Sequence, residues 1–161
     1  MRLPTKSECK NSLITALMVA PTLSIMLIAA IFSLALGSIG TGYEEDVLSV
    51  ALGVATVLSI LASVTLSYVW QKRLPTALLA VILWLCFFSY LTVVLSGTSD
   101  FLDDHFFQAM TLVFSLPVFS YGAVVGGNAV GVLILTAILA ALNTGAAILV
   151  GLRRKKEKGR G

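Results

Sequence analysis

Charged side chains are missing from four long stretches of this chain, and this feature limits its possible folds more than any other. Lys, Arg, Asp and Glu do not occur in residues 11–43, 47–71, 74–99 or 106–152. Each stretch is longer than the roughly 20 helical residues that cross a hydrocarbon core about 30 Å thick. With 58% hydrophobic and 12% charged residues overall, the chain is predicted to be an all-α, polytopic helical membrane protein.

The basic residues are confined to three places. All eleven Lys and Arg residues lie in 1–11, at Lys72-Arg73 or in 153–161, whereas six of the eight acidic residues lie in 44–46 and 100–104. Loops rich in Lys and Arg stay on the cytoplasmic side of a membrane. We therefore predict a multi-pass protein with both termini and the turn at 72–73 in the cytoplasm, which requires an even number of crossings.

The chain is interpreted as a single integral membrane domain, 1–161. The predicted spans are 12–38, 47–70, 76–95 and 129–152, between a basic cytoplasmic arm at 1–11 and a basic cytoplasmic tail at 153–161. The first span is interpreted as a retained helix, because the apolar region of a cleaved signal peptide is usually only about 7–15 residues long.

The stretch 106–152 is too long for one crossing. The sequence Gly126-Gly127-Asn128 predicts a turn within it, which leaves 106–125 either as a fifth transmembrane helix or as a re-entrant segment that breaks near Pro117. Hydropathy favours five helices, whereas the sorting of basic residues favours four helices plus a membrane-embedded segment, and we adopt the second arrangement. Interrupted helices turn free backbone groups toward a substrate path. The candidate pore or substrate-path residues are Gln108, Pro117, Gly126, Gly127, Asn128 and Asn143.

Small residues recur at every fourth position along several spans, and membrane helices use such rows to approach one another closely. Span 12–38 carries two such rows, Ala16-Ala20-Ser24 and Ala29-Ser33-Gly37. The predicted helix-packing residues of the second and last spans are Ala51, Ala55, Ser59, Ser63, Ser67, Ala137, Ala141 and Gly145, with Thr136, Ala140 and Thr144 beside the last three. These rows are expected to pack within the chain or against a second copy or partner subunit. Span 76–95 has a bulky centre instead, so we predict that it is peripheral and faces lipid.

Groups that carry out chemistry are few. No charged residue lies at membrane depth, which argues against a proton-coupled carrier, and no Gly-x-Ser-x-Gly nucleophile motif occurs. His105 is the only histidine, and without further nitrogen or sulfur ligands near it we predict no metal site and no cofactor.

Cys9 and Cys86 are expected at different membrane depths and therefore form no disulfide. The basic tail is interpreted as an anchor for anionic lipids, not as a nucleic-acid site.

Two hypotheses for function follow from these observations. The favoured one is a small integral membrane protein without enzymatic activity, acting as an accessory subunit or an oligomerising helical bundle. Its basis is the length of the small-residue rows together with the lack of a reactive group of residues. The alternative is a small channel or carrier for a neutral or weakly charged solute, based on the interrupted stretch at 106–128.

Overall fold

A computed structural model describes residues 6–38, 47–96, 118, 123–126 and 128–158 of the chain. Within these residues all regular structure is helical, which confirms the predicted all-α class. The long helices are α1 (Lys6–Ser38), α2 (Val47–Val69), α3 (Arg73–Ser96) and α4 (Ala129–Lys158). One 3-10 turn, Ala123–Val125, precedes α4.

Three of these helices are long and apolar enough to cross a membrane by length and composition. The qualifying stretches are Val50–Val69 in α2, Arg73–Thr92 in α3 and Ala129–Arg153 in α4. Helix α1 contains a shorter apolar stretch, Ser12–Ile28, and continues through Pro21, as membrane helices do when neighbouring groups satisfy the freed carbonyl. The described helices are compatible with the predicted helical membrane protein.

The predicted membrane-embedded segment 106–125 lies mostly outside the described residues. Val118 is described and is completely buried, in a cluster with Cys86, Tyr90 and Val132. Val118 therefore packs against α3 and the first turn of α4.

Helices α2 and α3 are joined by a tight turn whose hydrogen bonds close the end of α2. The Lys72 amide donates to the Ser67 carbonyl at 2.9 Å, and the Gln71 amide donates to the Tyr68 carbonyl at 3.3 Å. This is the Schellman pattern of helix termination, and Gln71 takes the left-handed conformation that it requires, with φ of 52°. The turn places Lys72 and Arg73 together at one end of the helical hairpin.

Helices α3 and α4 run antiparallel along their whole contact. The Arg73 side chain lies against Gly151, the Trp84 indole bonds Thr144, and Tyr90 shares a cluster with Val132. Residue numbers thus rise along α3 as they fall along α4.

Helices α1 and α2 are antiparallel as well, as the connection between them requires. Thr22 near the middle of α1 bonds Ser59 near the middle of α2. With parallel helices, the end of α1 and the start of α2 would be about 42 Å apart at 1.5 Å per residue. The nine steps from Ser38 to Val47 reach only about 32 Å. The starts of α1 and α3 and the ends of α2 and α4 therefore share one end of the bundle, which is also its basic end.

The interior is formed by all four helices, and α3 contributes fully. Met26, Ile60, Leu83, Leu139 and Ala140 make one buried cluster that brings α1, α2, α3 and α4 together.

The prediction that span 76–95 is peripheral is wrong. The α3–α4 interface is the most extensive in the described residues, and 39% of the crossing stretch of α3 is buried inside the protein, against 28% for α2. The prediction failed because a close contact needs small residues on only one of the two helices, and α4 supplies them for the bulky face of α3.

Candidate functional site: a buried polar row and an outer groove

The predicted row of small residues on α2 passes from the outside of the bundle to its inside. Ala51 is exposed, Ala55 and Ser59 are half-buried, and Ser63 and Ser67 are buried. The cause is geometric: at about 100° per residue, each step of four residues drifts by about 40° around the helix. The row therefore stays on one face for only about two turns.

The buried side of α2 follows a mixed spacing of three and four residues. Its members are Gly53, Thr56, Ile60, Ser63 and Ser67. Between this side and α1, the Ser59 hydroxyl donates to the Thr22 hydroxyl oxygen at 2.9 Å, and Thr22 itself is buried. A hydroxyl pair thus connects the two helices at mid-depth.

Three buried oxygen atoms have no hydrogen-bond partner among the described residues: Ser63 Oγ, Ser67 Oγ and Asn143 Oδ1. The Asn143 amide nitrogen does donate, to the Leu139 carbonyl at 2.9 Å. All three side chains are at most 2% exposed. An unpaired polar atom is costly in an apolar interior, so these oxygens are the part of the interior best suited to a polar ligand.

Threonines in the same helices behave differently. Each of the following donates its hydroxyl to the carbonyl four residues earlier: Thr56, Thr65, Thr92, Thr136 and Thr144. Such internal bonds satisfy the hydroxyl within its own helix. Ser63 and Ser67 make no such bond.

The two rows of small residues on α4 face different surroundings. Thr136 and Ala140 are completely buried. Ala141 is exposed, and Ala137 and Gly145 are half-buried. Ala141 and Gly145 line an apolar groove of about 630 Å³ between α2 and α4.

The α2 wall and one end of this groove carry polar groups. Val64, Thr65 and Tyr68 form the α2 wall. At the basic end of the bundle, the guanidinium carbon of Arg153 lies 5.6 Å from the centroid of the Tyr68 ring, which is within the range of a cation–π interaction.

On α1, the first of the two predicted rows faces outward, and the second, Ala29-Ser33-Gly37, lies outside the described side chains. Ala16, Ala20 and Ser24 are all exposed. The inward face of α1 is instead made by Met18, Val19, Thr22 and Met26.

Of the predicted path residues, two have structural roles at the start of α4. Gly126 takes φ of 64° in the turn before the helix, a conformation that favours glycine. The Asn128 side-chain oxygen accepts from the Val130 amide at 3.0 Å, so Asn128 is the N-cap of α4. Gln108, Pro117 and Gly127 lie outside the described residues. Asn143 is about 22 Å along α4 from Asn128, so the structure does not bring Asn143 together with Gly126 and Asn128.

The described ranges contain no group of three His, Cys, Asp or Glu residues that could hold a metal ion. Cys86 is a buried free thiol in the α3–α4 core. Cys9 lies in the first turn of α1, where the structure does not describe its side chain, and His105 lies outside the described residues.

Comparison of the chain with protein families, curated proteins and solved structures finds no match.

Two features of the site could not be predicted from the sequence. The groove depends on the angle and spacing of α2 and α4, for which no motif exists. The bond from the Trp84 indole to the Thr144 hydroxyl, 3.2 Å long, joins residues 60 positions apart. A tryptophan at mid-span is a signal that an indole N–H needs a partner, but it does not say which.

Proposed function

We propose that this protein is a membrane protein without enzymatic activity that acts by assembly through the outer face of α1. The observation that carries the proposal is the exposure of Ala16, Ala20 and Ser24. Rows of small residues let two helix backbones approach closely in a membrane. The described part of the bundle does not bury this row, which leaves it open to another helix.

The partner we favour is a second copy of the chain. A two-fold axis brings the same surface of both copies together, and a row of small residues is complementary to itself. Exposed Leu13 and Leu27 lie on the same face of α1 as the row, and exposed Leu17 and Ile28 lie along one side of it, so all four extend the apolar contact. The alternative partner is a membrane helix of another subunit.

The number of fluorescently labelled copies per complex, counted by photobleaching steps in liposomes, tests this proposal. The parent is expected to be dimeric, and Ala20→Leu is expected to be monomeric because added bulk separates the backbones. Ala62→Leu is the matched control, since Ala62 is an exposed alanine on α2. A stoichiometric second polypeptide lost on Ala20→Leu would assign the face to a partner subunit, and a parent that is monomeric and copurifies with nothing would contradict assembly.

The proposal includes four crossings with both termini in the cytoplasm. Its support is the gathering of the ends of α2 and α4 with the start of α3 at one basic end. Single cysteines at Thr41 and at Gly161, in a background without Cys9 and Cys86, test it by labelling of intact cells with an impermeant reagent. Labelling at position 41 only is expected, and labelling at position 161 from outside would favour five crossings.

A second candidate function, a path for a small neutral solute, is favoured by the unpaired Ser63, Ser67 and Asn143 oxygens. Pores can be lined by hydroxyls and carbonyls without any charged group. Glycerol flux into liposomes that contain only this protein, followed by light scattering, tests it. Flux that falls in Ser63→Ala/Ser67→Ala but not in Thr92→Ala, which removes an exposed hydroxyl from α3, would support a path. Flux equal to that of empty liposomes would exclude it.

A further inference from the structure

We propose that the groove between α2 and α4 binds an acyl chain of an anionic phospholipid, whose phosphate lies against Arg153 and Lys156. This is a defined lipid site, separate from the assembly face proposed for α1, because none of the described α1 residues lines the groove.

The groove fits one leaflet of a membrane in length. On α4 it is lined from Ile138 to Leu149, which corresponds to about 16 Å along the helix axis. Half of a hydrocarbon core is about 15 Å. Its volume of about 630 Å³ lies within the usual range of small-molecule sites, and its lining is almost wholly apolar.

Basic groups continue the face of α4 that lines the groove. Seen down the helix at about 100° per residue, Arg153 lies about 40° and Lys156 about 20° from Leu149. Lys155 lies about 120° away, on another face. Lys155 and Lys156 are both exposed. They therefore differ in the side of the helix from which they project, and not in burial.

Tyr68 connects the apolar and the basic parts of the site. Its ring lines the groove, and the Arg153 guanidinium lies over that ring. The guanidinium is thereby placed at the end of the groove, at the depth where a headgroup phosphate sits. Arginine binds phosphate oxygens in a two-pronged geometry that a positioned guanidinium favours.

The charge at the end of the groove selects a lipid over a helix as the occupant. A transmembrane helix would match the apolar walls but would bring an anionic group to Arg153 and Lys156 only if it carried an acidic residue at that level. An anionic phospholipid matches both parts, and basic pockets between helices at the cytoplasmic side of membranes bind such headgroups.

Native mass spectrometry of the detergent-purified full chain, titrated with phosphatidylglycerol or phosphatidylcholine of equal chain length, tests the site. We expect one phosphatidylglycerol to bind in preference to phosphatidylcholine. Removing one positive charge from the site, by Arg153→Gln or Lys156→Gln, should weaken phosphatidylglycerol binding about fivefold. Lys155→Gln removes the same charge from another face and should leave the binding unchanged.

A second variant tests the apolar half of the site. Gly145→Leu should fill the groove and abolish binding of both lipids. A Cβ at Gly145 meets nothing within 4 Å, so the helix accommodates the new side chain, and an unchanged unfolding midpoint verifies this.

Four outcomes would overturn the proposal. The first is equal weakening by Lys155→Gln and Arg153→Gln, which would indicate a diffuse surface charge. The second is binding that survives Gly145→Leu, and the third is displacement of the lipid by inorganic phosphate, which would indicate a headgroup site without an acyl chain. The fourth is a dimer in the spectrum that Gly145→Leu dissociates, which would assign the groove to a second copy.

Discussion

Helices α3 and α4 pack a bulky face against a small one, whereas α1 and α2 bring Met26 and Ile60 into one buried cluster and are also joined by a hydrogen bond between two small hydroxyl side chains. In the first pair, Leu83 shares a buried cluster with Ala140, and the contact continues from Arg73 to Tyr90. In the second pair, Ser59 bonds Thr22 at mid-depth, while Ala16 and Ala20 on α1 face outward.

The difference shows that small residues on a membrane helix indicate where another helix can come close to its backbone. They do not indicate whether a helix of the same chain packs there. Lipid tails are as apolar as leucine, so contact depends on fit. A bulky helix fits a small one as well as two small ones fit each other. Within the described residues, the row of Ala16, Ala20 and Ser24 on α1 and Ala141 on α4 are therefore not covered by the other helices.

The largest expected effect concerns α3. Leu83→Ala should lower the free energy of unfolding by about 3 kcal/mol, the lower part of the range for buried leucines, because the cavity loses dispersion contacts but lipid exposure adds no hydrophobic cost. Leu83 is 0% exposed, and its control Leu85→Ala changes a residue that is 46% exposed. Denaturation by SDS in mixed micelles measures both. If the two variants lost the same free energy of unfolding, Leu83 would be no more buried than Leu85, and α3 would be peripheral after all.

The next effect separates the two rows of α4 by the same change at adjacent residues. Ala140→Leu should cost about 2 kcal/mol, because added bulk forces the packed helices apart. Ala141→Leu should cost almost nothing, since Ala141 is exposed and lines the groove. The measurement is again SDS unfolding. A larger loss for Ala141→Leu would mean that the row lining the groove is the one that holds the bundle together.

The sequence alone predicted the helical membrane class, because charge-free runs allow little else. It did not predict which face of each helix is buried. Hydropathy is nearly uniform around a membrane helix, so Ala140 and Ala141 look alike in the sequence and differ only in what lies opposite them. The groove and the unpaired oxygens of Ser63 and Asn143 depend on the same missing information. For Gly126 and Asn128 the residue type alone indicates a turn, and the structure places Gly126 in a turn and Asn128 at a helix N-cap, which are common roles of glycine and asparagine.

A smaller effect is expected where α2 meets α1. Ser59→Leu should cost about 1 kcal/mol, because it loses the bond to Thr22 and crowds a site that is only half-buried and can partly relax. Leu58→Ala should be nearly neutral, since Leu58 is 59% exposed and lipid tails fill the space. Thermal denaturation in detergent compares the two variants. If Leu58→Ala strongly lowers the denaturation temperature while Ser59→Leu leaves it equal to that of the parent, then α2 is rotated about its axis and its serines face lipid.

The smallest effect compares the cross-helix hydrogen bonds of the two pairs, Ser59 to Thr22 at 2.9 Å and Trp84 to Thr144 at 3.2 Å. Double-mutant cycles, with Ser59→Ala and Thr22→Val in one and Trp84→Phe and Thr144→Val in the other, isolate each bond from the packing that surrounds it. Bonds of this kind average about 0.6 kcal/mol in membranes. We expect the coupling free energy to be larger for the shorter hydroxyl pair. Since bulky side chains already hold α3 to α4, the loss of the Trp84 bond should leave that pair intact. A coupling near zero for Ser59 and Thr22 would mean that α1 and α2 are held by packing alone, and the contrast between the two pairs would then lie only in the size of their side chains.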